Sequence, residues 1–590
     1  MTESRVEAEP NREDQQRDDA DAPTLVVAVR EQVDRALADL TAGEATWAEL
    51  SLTSRRELLE RIHAAAAAQS ETWVNAAATY KQLADDSPLI GEEWITGPYP
   101  VLTSLGALAE SLKALEEGRS PVDGFDVREA VGGRVAVSVL PHSVWDRLLL
   151  NSFTAEVWMP PGVDETTVRR GAGLAQRRPT ETPGIGAVLG AGNITSIPVL
   201  DVLYELYAHN RVVALKLNPL TNGLLEVFER VLAPLIEIGA VRILTGGADV
   251  GTYLVDHPSV AHVHMTGSQA THDAIVFGSG AGRASRKAAG TPLLHKPVTS
   301  ELGGVSPTIV VPGRWSTADL KFQAEHVVTQ RLHNGGYNCC ASQVVIVSAD
   351  WAQKNRFLEE LRVALTKVPE RIAYYPGSDD RLAQALASYP NGERIGGSVL
   401  VENLDLDDPQ AALNTEYFAP VLGVLELSGP AGSFLSDAVK VSNEQFAGTL
   451  GVNLIVHPRT IKDIGSNALD EAIATLRYGT VGVNAWTGVG YLTARASWGA
   501  FPGHTLDDVQ SGIGVVHNAL LRDGPERTVV RGPFRPTPRS IVHGEFSISP
   551  RPPWFVTNRT AATTGRLLMR FAASPGWAAI PRIFVSAIRG

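Results

Sequence analysis

The only two cysteines of the chain, Cys339 and Cys340, are adjacent and follow the glycines Gly335 and Gly336. Glycines ahead of a thiol allow the backbone and a substrate to approach each other closely. A thiolate is a strong nucleophile, and backbone N–H groups beside it could lower the pKa of the thiol. Free cysteine is also commonly buried for purely structural reasons, so the residue types alone leave both interpretations open.

Glu301 and Asn193 are two further candidates for catalysis. Glu301 precedes Gly303 and Gly304 at the predicted end of a strand, where a carboxylate can face a cavity and act as a general base with a raised pKa. The alternative is a surface carboxylate in a turn. Asn193 follows Gly192 at a strand-to-helix junction, where its amide N–H could donate to an oxyanion or its side chain could cap the helix.

Three residues at a second strand-to-helix junction, Thr266, Gly267 and Ser268, could bind a diphosphate. A helix that begins near Gln269 would present free N–H groups and the positive end of its dipole to such a ligand. Ser268 could equally serve only as the cap of that helix. Lys216, at the end of a predicted strand, could bind a ribose or a phosphate, or could be a solvated strand end.

The pair Glu416 and Phe418, ahead of Pro420, combines a carboxylate with an aromatic ring. Such a pair could hold a ribose and lie beside a nicotinamide, but it is equally consistent with the start of a strand. Four histidines lie close together in the sequence, at positions 257, 262, 264 and 272. Because no carboxylate or cysteine completes a set of metal ligands with them in the sequence pattern, we predict no metal site.

The elements that must position these residues alternate between strands and helices from Pro183 to Ser268. This alternation predicts crossover connections and a parallel sheet, which binds ligands at the carboxyl ends of its strands. A second α/β pattern runs from Val298 to Trp486, helices are predicted from residue 23 to about 120, and alternating valines predict a strand near residue 137. The predicted elements include strands at Ile185–Leu189, Val212–Leu217, Val241–Leu244 and Ala261–Met265, and helices at Ile197–His209 and Leu224–Ile238.

Length and composition indicate the class of protein. With 590 residues, of which 44% are hydrophobic and 20% charged, the chain is expected to form several domains with large cores. Its net charge of −13 disfavours nucleic acid as a partner. Two adjacent cysteines build no disulfide framework, and no apolar run reaches the ~18 residues of a membrane span. We therefore expect a reduced, cytoplasmic protein without a transmembrane segment or a secretory signal.

The patterns divide the chain into five predicted segments. These are an acidic disordered N-terminus (1–22), N-terminal helices with a dinucleotide-binding domain (23–297, with a β arm near 143–180), a catalytic domain (298–487), a segment that returns to the cofactor domain or serves oligomerisation (488–519) and an Arg-rich C-terminal extension (520–590). In the extension, arginines are interspersed with large apolar residues such as Trp554, Trp577 and Phe584. This mixture is typical of subunit interfaces and also of segments on a membrane surface.

Taken in order, the motifs resemble the aldehyde dehydrogenase superfamily over about residues 25–510. The matching motifs are Gly190-Ala191-Gly192-Asn193, Ala214-Leu215-Lys216, Met265-Thr266-Gly267-Ser268, Glu301-Leu302-Gly303-Gly304, Gly336-Tyr337-Asn338-Cys339-Cys340-Ala341 and Glu416-Tyr417-Phe418-Ala419-Pro420. Each motif alone is unspecific, but the ordered set is specific. The resemblance implies an α/β fold with a parallel-sheet dinucleotide-binding domain, an α/β catalytic domain and a β oligomerisation arm, assembled as a homodimer or homotetramer.

The resemblance also implies roles for individual residues. Cys339, which stands two positions before an alanine as in the family pattern, would attack the aldehyde in preference to Cys340. Asn193 and the backbone N–H of Cys339 would hold the oxyanion, the nicotinamide would oxidise the adduct to a thioester, and Glu301 would activate the water that releases the acid. The implied cofactor contacts are Lys216, Thr266, Gly267, Ser268, Leu302, Glu416 and Phe418.

Three departures from the family pattern affect these roles. Tyr337 stands where many members have glutamine, and Ala191 and Gly192 stand where many have proline and tryptophan. Pro219 replaces a glutamate that grips the adenosine ribose in many NAD-preferring members, so the cofactor is NAD or NADP. Two alternatives stay open: a coenzyme A-acylating or acyl-reducing enzyme of the same fold, against which Glu301 argues, and a catalytically inactive scaffold.

Overall fold

The computed structural model describes residues 27–407, 412–536, 547 and 549–590. The N-terminal segment 1–22, for which we predict disorder, lies outside the described residues. Four helices open the described chain, and the second is capped by Ser51, whose hydroxyl accepts the backbone N–H of Ser54 at 3.1 Å. They are α1 (Val27–Glu49), α2 (Leu52–Tyr80), α3 (Ile90–Thr96) and α4 (Pro98–Glu116).

Residues 127–171 form three strands and two short helices. The alternating valines predicted as a strand lie in the second of these strands. The elements are β1 (Val127–Ala130), β2 (Arg134–Leu140), α5 (Val144–Leu149), β3 (Thr154–Trp158) and α6 (Glu165–Gly171).

A run of alternating strands and helices follows, as the sequence pattern predicts. The helix predicted over Leu224–Ile238 is instead broken: a 3₁₀ turn precedes it, and Pro234, near the start of its second half, cannot donate an N–H to the preceding turn. The elements are β4 (Ile185–Leu189), α7 (Ile197–His209), β5 (Val212–Lys216), α8 (Leu225–Val231), α9 (Ala233–Glu237), β6 (Val241–Leu244), α10 (Ala248–Asp256), β7 (Val260–Gly267), α11 (Gln269–Phe277), α12 (Arg283–Ala289) and β8 (Val298–Leu302).

The second α/β region carries most of the remaining strands. Its elements are β9 (Ser306–Val310), α13 (Thr317–Leu332), β10 (Ser342–Ser348), α14 (Lys354–Leu365), α15 (Ser378–Ser388), β11 (Glu393–Ile395), β12 (Ser398–Leu404), β13 (Val421–Leu427), α16 (Ala431–Gln445), β14 (Gly451–Ile455), α17 (Pro458–Ile464), α18 (Ser466–Thr475), β15 (Thr480–Val483) and α19 (Gly488–Leu492). Four strands and two helices complete the described chain: β16 (Ser497–Gly499), β17 (Gly512–Ile513), β18 (Val515–Asn518), β19 (Arg527–Arg531), α20 (Ala561–Ala573) and α21 (Ile580–Ile588).

Two large sheets organise these elements. The first has six strands in the order β17-β8-β7-β4-β5-β6, and all of its pairs are parallel except β17 with β8. The second has eleven strands in the order β1-β2-β3-β19-β15-β14-β9-β10-β13-β12-β11. Helix α1 packs on β4, β5 and β6, α2 packs on α8, and α4 packs on α7, within one core that includes Trp47, Trp73 and Phe228. The predicted α/β fold is confirmed.

Two predicted segment boundaries fall at strands of the sheets, and the division of the chain into domains stays a prediction. The catalytic segment was expected to begin at residue 298, but β8 pairs in parallel with β7 and is therefore part of the six-stranded sheet. The C-terminal extension was expected to begin at residue 520, but β19 lies between β3 and β15 inside the eleven-stranded sheet. The prolines and arginines around β19 are not typical of a strand, so the sequence did not predict one there. The strand is defined by its pairing with β3 and β15.

The strands β1, β2 and β3, in and next to the region predicted as an arm, pair through β19 with the eleven-stranded sheet of the same chain. Helix α20 packs on α3 and α4, and α21 packs on α20. A homodimer or homotetramer, and an interface or membrane role for the C-terminal segment, stay predictions. Within the described residues, no helix is both long and apolar enough to cross a membrane.

Candidate active site

Cys339 lies in a tight turn between α13 and β10. Three successive residues of this turn, Asn334, Gly335 and Gly336, have φ values of 55°, 70° and 84°. Glycine adopts this left-handed region without a steric penalty, which explains the glycines that precede the thiol. Cys339 is partly exposed, whereas Cys340 is only 4% exposed. Of the two thiols, that of Cys339 is therefore the accessible one.

Glu301 lies near the carboxyl end of β8 and faces the Cys339 thiol. Its side chain is buried, and neither carboxylate oxygen has a hydrogen-bond partner among the described residues. Burial raises the pKa of Glu301, against the opposing effect of the nearby Cys339 thiol and of His517. A buried carboxylate with free acceptor capacity can take a proton from a thiol or from a water.

The environment keeps the Cys339 thiol protonated at rest. Contact with the thiol of Cys340, burial and the negative charge of Glu301 together raise the pKa of Cys339 well above its usual value. A thiol with a raised pKa reacts as a nucleophile only when a base removes its proton. Glu301 is the candidate for this base, because Glu301 and Cys339 each alter the pKa of the other.

Asn193 brings the six-stranded sheet into contact with the turn that carries the thiol. It is buried, and its side-chain Nδ2 donates to the backbone oxygen of Tyr337 at 2.9 Å. An amide nitrogen has two hydrogens, so one remains for an oxyanion. Asn193 does not cap α7, since the cap position is Ser196.

A buried ion pair between Lys81, which follows α2, and Glu93 of α3 contacts the same turn. Lys81 Nζ lies 2.8 Å from Glu93 Oε1 and donates to Asn334 Oδ1 at 3.0 Å. Asn334 Nδ2 in turn donates to the backbone oxygens of Asn193 and Tyr337, at 3.2 and 3.3 Å. This network connects the N-terminal helices to Asn193 and to Tyr337, which stands two positions before Cys339. No motif in the sequence pointed to Lys81 or Glu93.

Three further residues near Glu301 were not found from the sequence. Trp498 and His517 come from β16 and β18, and both lower the pKa of Glu301. Tyr491, on α19, shares a 2.6 Å hydrogen bond with Ser196, and burial raises its pKa with a contribution from the charges of Glu301 and Cys339. These residues follow the last recognisable motif, so only the tertiary fold brings them to the site.

The predicted cofactor residues of the six-stranded sheet lie at the carboxyl ends of three of its strands. Lys216 ends β5, Thr266 and Gly267 end β7, and Leu302 ends β8. Burial lowers the pKa of Lys216, whose ammonium makes no hydrogen bond in the described part of the chain. This is the edge at which parallel sheets bind ligands.

Two of these residues already have structural partners. The Thr266 hydroxyl donates to Asp201 at 3.2 Å, and Ser268 caps α11 by accepting the backbone N–H of Thr271 at 3.2 Å. The capping role considered for Ser268 is therefore observed. A cap leaves the other free N–H groups of the first helical turn available to an anion.

Glu416 and Phe418 precede β13, and the Glu416 carboxylate lies next to Gly303, which follows Glu301 in the chain. A side chain at Gly303 would collide with the Glu416 carboxylate, which explains glycine at that position. Burial raises the pKa of Glu416 to about 8, against the opposing effect of Arg331. Phe418 has a positive φ of 44° and packs edge-to-face on Tyr375 at 4.8 Å.

The histidine cluster has carboxylate neighbours that the sequence did not reveal. On α7, Glu205 lies 3.3 Å from His262 and Asp201 lies 3.6 Å from His264. Burial opposes ionisation of Asp201, but His264 and His517 hold its pKa below the usual range. Among the described residues, no group of three His, Cys, Asp or Glu side chains is arranged to hold a metal ion.

Comparison with known proteins supports the resemblance seen in the motifs. Residues 181–372 match the model of the aldehyde dehydrogenase family. Betaine aldehyde dehydrogenase of Agrobacterium fabrum is 26% identical over 317 residues, which cover 52% of this chain and 55% of that protein. The chain thus aligns with only about half of the length of this relative.

Solved structures share the fold at low identity. Aldehyde dehydrogenase C of Pseudomonas syringae, a variant solved with NAD⁺ and octanal, gives a TM-score of 0.58 at 17% identity, covering 86% of this chain and 90% of that chain. Glyceraldehyde-3-phosphate dehydrogenase of Methanocaldococcus jannaschii, solved with NADP, gives 0.57 at 16% identity, covering 87% and 96%. Residues 181–372 thus resemble the aldehyde dehydrogenase family, and the chain shares the fold of the solved aldehyde dehydrogenases.

Proposed function

We propose that the chain oxidises an aldehyde to a carboxylic acid with a nicotinamide dinucleotide, through a thioester on Cys339. One observation carries this proposal: the buried, unpartnered carboxylate of Glu301 lies beside the only accessible thiol of the chain. A nucleophile and a base in contact are the elements of covalent catalysis.

In the first half of the reaction, Glu301 takes the proton of the Cys339 thiol, and the sulfur forms a bond to the aldehyde carbon. The carbonyl oxygen becomes an oxyanion, to which the remaining N–H of the Asn193 amide and the backbone N–H of Cys339 donate. A bound nicotinamide would supply the two-electron acceptor that converts this adduct into a thioester.

Before the second half, Glu301 releases the proton of the thiol to solvent. The Glu301 carboxylate then takes a proton from water, and the water oxygen forms a bond to the thioester carbon. The C–S bond then breaks, the acid leaves, and the sulfur regains a proton. The raised pKa of Glu301 suits a general base, because a more basic carboxylate takes a proton from a thiol or from water more readily.

The described residues fit a dinucleotide at the carboxyl edge of the six-stranded sheet. Lys216 lies there without a hydrogen-bond partner, and Gly192 and Gly303 keep side chains away from the edge. Lys216, Gly267 and Ser268 would hold the adenosine and diphosphate, and Glu416 with Phe418 the nicotinamide ribose and ring. Leu302 and Thr266 would line the floor between them.

We infer that this cofactor site accepts NADP as well as NAD. Pro219 begins the 3₁₀ turn that follows Lys216, so no carboxylate at this position repels a 2′-phosphate. A Pro219→Glu variant should lose affinity for NADP while retaining that for NAD. Equal NADP affinity in the variant and the wild type would contradict this inference.

The test of the proposed function is formation of reduced nicotinamide from an aldehyde by the wild type and two cysteine variants. Cys339→Ala should lose activity on the order of 10³-fold or more, since the nucleophile is gone. Cys340→Ala is the matched control and should retain turnover. Activity that survives in Cys339→Ala, or that requires added coenzyme A, would contradict the hydrolytic mechanism.

A further inference from the structure

An apolar cavity of about 90 Å³ lies between the N-terminal helices and the C-terminal segment. Its walls come from the junction of α3 and α4, the chain that follows α5, helix α19 and the C-terminal segment. No charged side chain is among the described residues that line it, and its aromatic lining includes Tyr99, Phe153, Trp554 and Phe584. An apolar cavity without charge favours a hydrocarbon ligand.

Helix α19 connects this cavity with the reacting groups. Val489 and Leu492 of this helix line the cavity, while Tyr491 between them is hydrogen-bonded to Ser196 on the catalytic side. Cys339 packs against the same apolar cluster that contains Val489 and Phe153. Helix α19 and this apolar cluster therefore border both the cavity and the thiol.

The C-terminal segment supplies the outer wall of the cavity. Leu568 of α20, together with Ile583, Phe584 and Ala587 of α21, lines it. This segment lies outside both the family match at residues 181–372 and the motif resemblance. The wall is thus a feature of this chain and cannot be read from the shared family motifs.

The C-terminal segment that forms the outer wall packs closely on α3 and is ion-paired with α13. A side chain at Gly565 of α20 would come within 2.9 Å of Trp94, and one at Gly91 of α3 within 2.5 Å of Ala561. These two glycines allow α20 and α3 to pack at close range. Arg551 adds an ion pair with Glu325 at 2.7 Å.

We propose that this cavity binds the hydrocarbon chain of an aldehyde substrate, so that the C-terminal helices select unbranched, uncharged aldehydes of medium length. The assignment of substrate rests on the proposed function, whereas binding of an apolar chain does not. An apolar cavity of about 150 Å³ admits benzene, so 90 Å³ has room for about three to four carbon atoms.

The first test measures kcat/KM for straight-chain aldehydes from ethanal to octanal. Each methylene that enters the cavity should raise kcat/KM about fourfold, from the transfer free energy of one buried methylene. Ala587→Phe fills the cavity and should lower the ratio of octanal to ethanal activity about tenfold or more. Val585→Phe, on the same helix but at a 51% exposed position, is the matched control and should keep the wild-type ratio.

A second variant and a charged substrate guard against misinterpretation. Leu568→Trp fills the same cavity from α20. It should cause the same loss of chain-length preference, and it replaces Ala587→Phe if circular dichroism shows that the latter is unfolded.

Betaine aldehyde and its neutral isostere 3,3-dimethylbutanal compare a cation with an uncharged group of equal shape. Preference for the cation would show that the aromatic rings bind a quaternary ammonium, and it would overturn the proposal.

A binding measurement separates this proposal from the proposed function. Octanamide, which is not oxidised, should bind the wild type at least tenfold more tightly than acetamide in titration calorimetry, and Ala587→Phe should abolish the difference. This result without any aldehyde turnover would keep the cavity proposal and reject the proposed function. Turnover of aldehydes with no preference for octanamide would do the reverse.

Discussion

Asn193 Nδ2 donates to the carbonyl oxygen of Tyr337 at 2.9 Å, and this bond joins the region of the six-stranded sheet to the turn that carries Cys339. The same amide is the candidate donor to the oxyanion. We expect Asn193→Ala to lower kcat about 10²- to 10³-fold, as removal of an oxyanion donor does elsewhere. Steady-state kinetics check this, and Asn222→Ala, at an exposed position, is the control. A wild-type kcat in Asn193→Ala would remove Asn193 from the mechanism.

Glu301→Gln tests whether one base serves both halves of the reaction. Glutamine keeps the shape of the side chain but cannot accept a proton, so turnover should fall about 10²- to 10⁴-fold. At high pH the thiol ionises without help, and the variant should then accumulate the acyl-enzyme. Mass spectrometry of the intact protein detects the added acyl group, with the exposed Glu57→Gln variant as control. Rapid hydrolysis in Glu301→Gln would assign the hydrolytic base to another residue.

The core of the site could be predicted because its residues belong to local patterns. Glu301 and Cys339 stand next to glycines that the backbone needs, as the left-handed φ of Gly335 and the crowded position of Gly303 show. The strand-to-helix alternation around Asn193 also has a local cause, the burial of apolar strands between amphipathic helices. These signals survive in the sequence because they do not depend on distant partners.

The residues around Glu301 could not be predicted, because they come from distant parts of the chain. Trp498 and His517 reach the site on short strands that follow no motif. Arg527 is fully buried in β19, where its guanidinium donates to the backbone oxygens of Ile473 and Leu476. An arginine in a sequence indicates a surface position unless its hydrogen-bond partners in the core are known. Ile473 and Leu476 lie about fifty residues before Arg527 in the chain.

The raised pKa of Glu416, about 8, predicts a pH-dependent stability. Between its ordinary pKa of about 4.5 and about 8, the folded protein binds this proton and the unfolded chain does not. The contribution of Glu416 to the free energy of unfolding therefore falls as pH rises through this window and is constant above it. Urea unfolding should show the Glu416→Gln variant gaining stability relative to the wild type from pH 5 to pH 8. A difference that does not change with pH would contradict the shift.

The buried pair of Lys81 and Glu93 predicts a large asymmetry between single and double replacements. Lys81→Met leaves the Glu93 carboxylate buried without its partner and should destabilise the fold by about 3–5 kcal/mol. Lys81→Met with Glu93→Leu removes both charges and should recover most of that loss in urea unfolding. Activity should stay low in both, because Asn334 loses the donor that holds it. The exposed Lys113→Met is the control, and equal stability of single and double variants would refute the coupling.

The close packing of α20 on α3 predicts that Gly565 cannot be enlarged. A side chain there meets Cβ of Trp94 at 2.9 Å and the backbone oxygen of Gly91 at 3.2 Å, so one helix must move. Gly565→Leu should lower the free energy of unfolding by about 1–3 kcal/mol, although glycine is itself a poor helix former. Gly576→Leu is the matched control, because a side chain there has nothing within 4 Å. If Gly565→Leu instead stabilised the protein, as better helix propensity alone would predict, α20 would not be held against α3 and the outer wall of the cavity would lose its support.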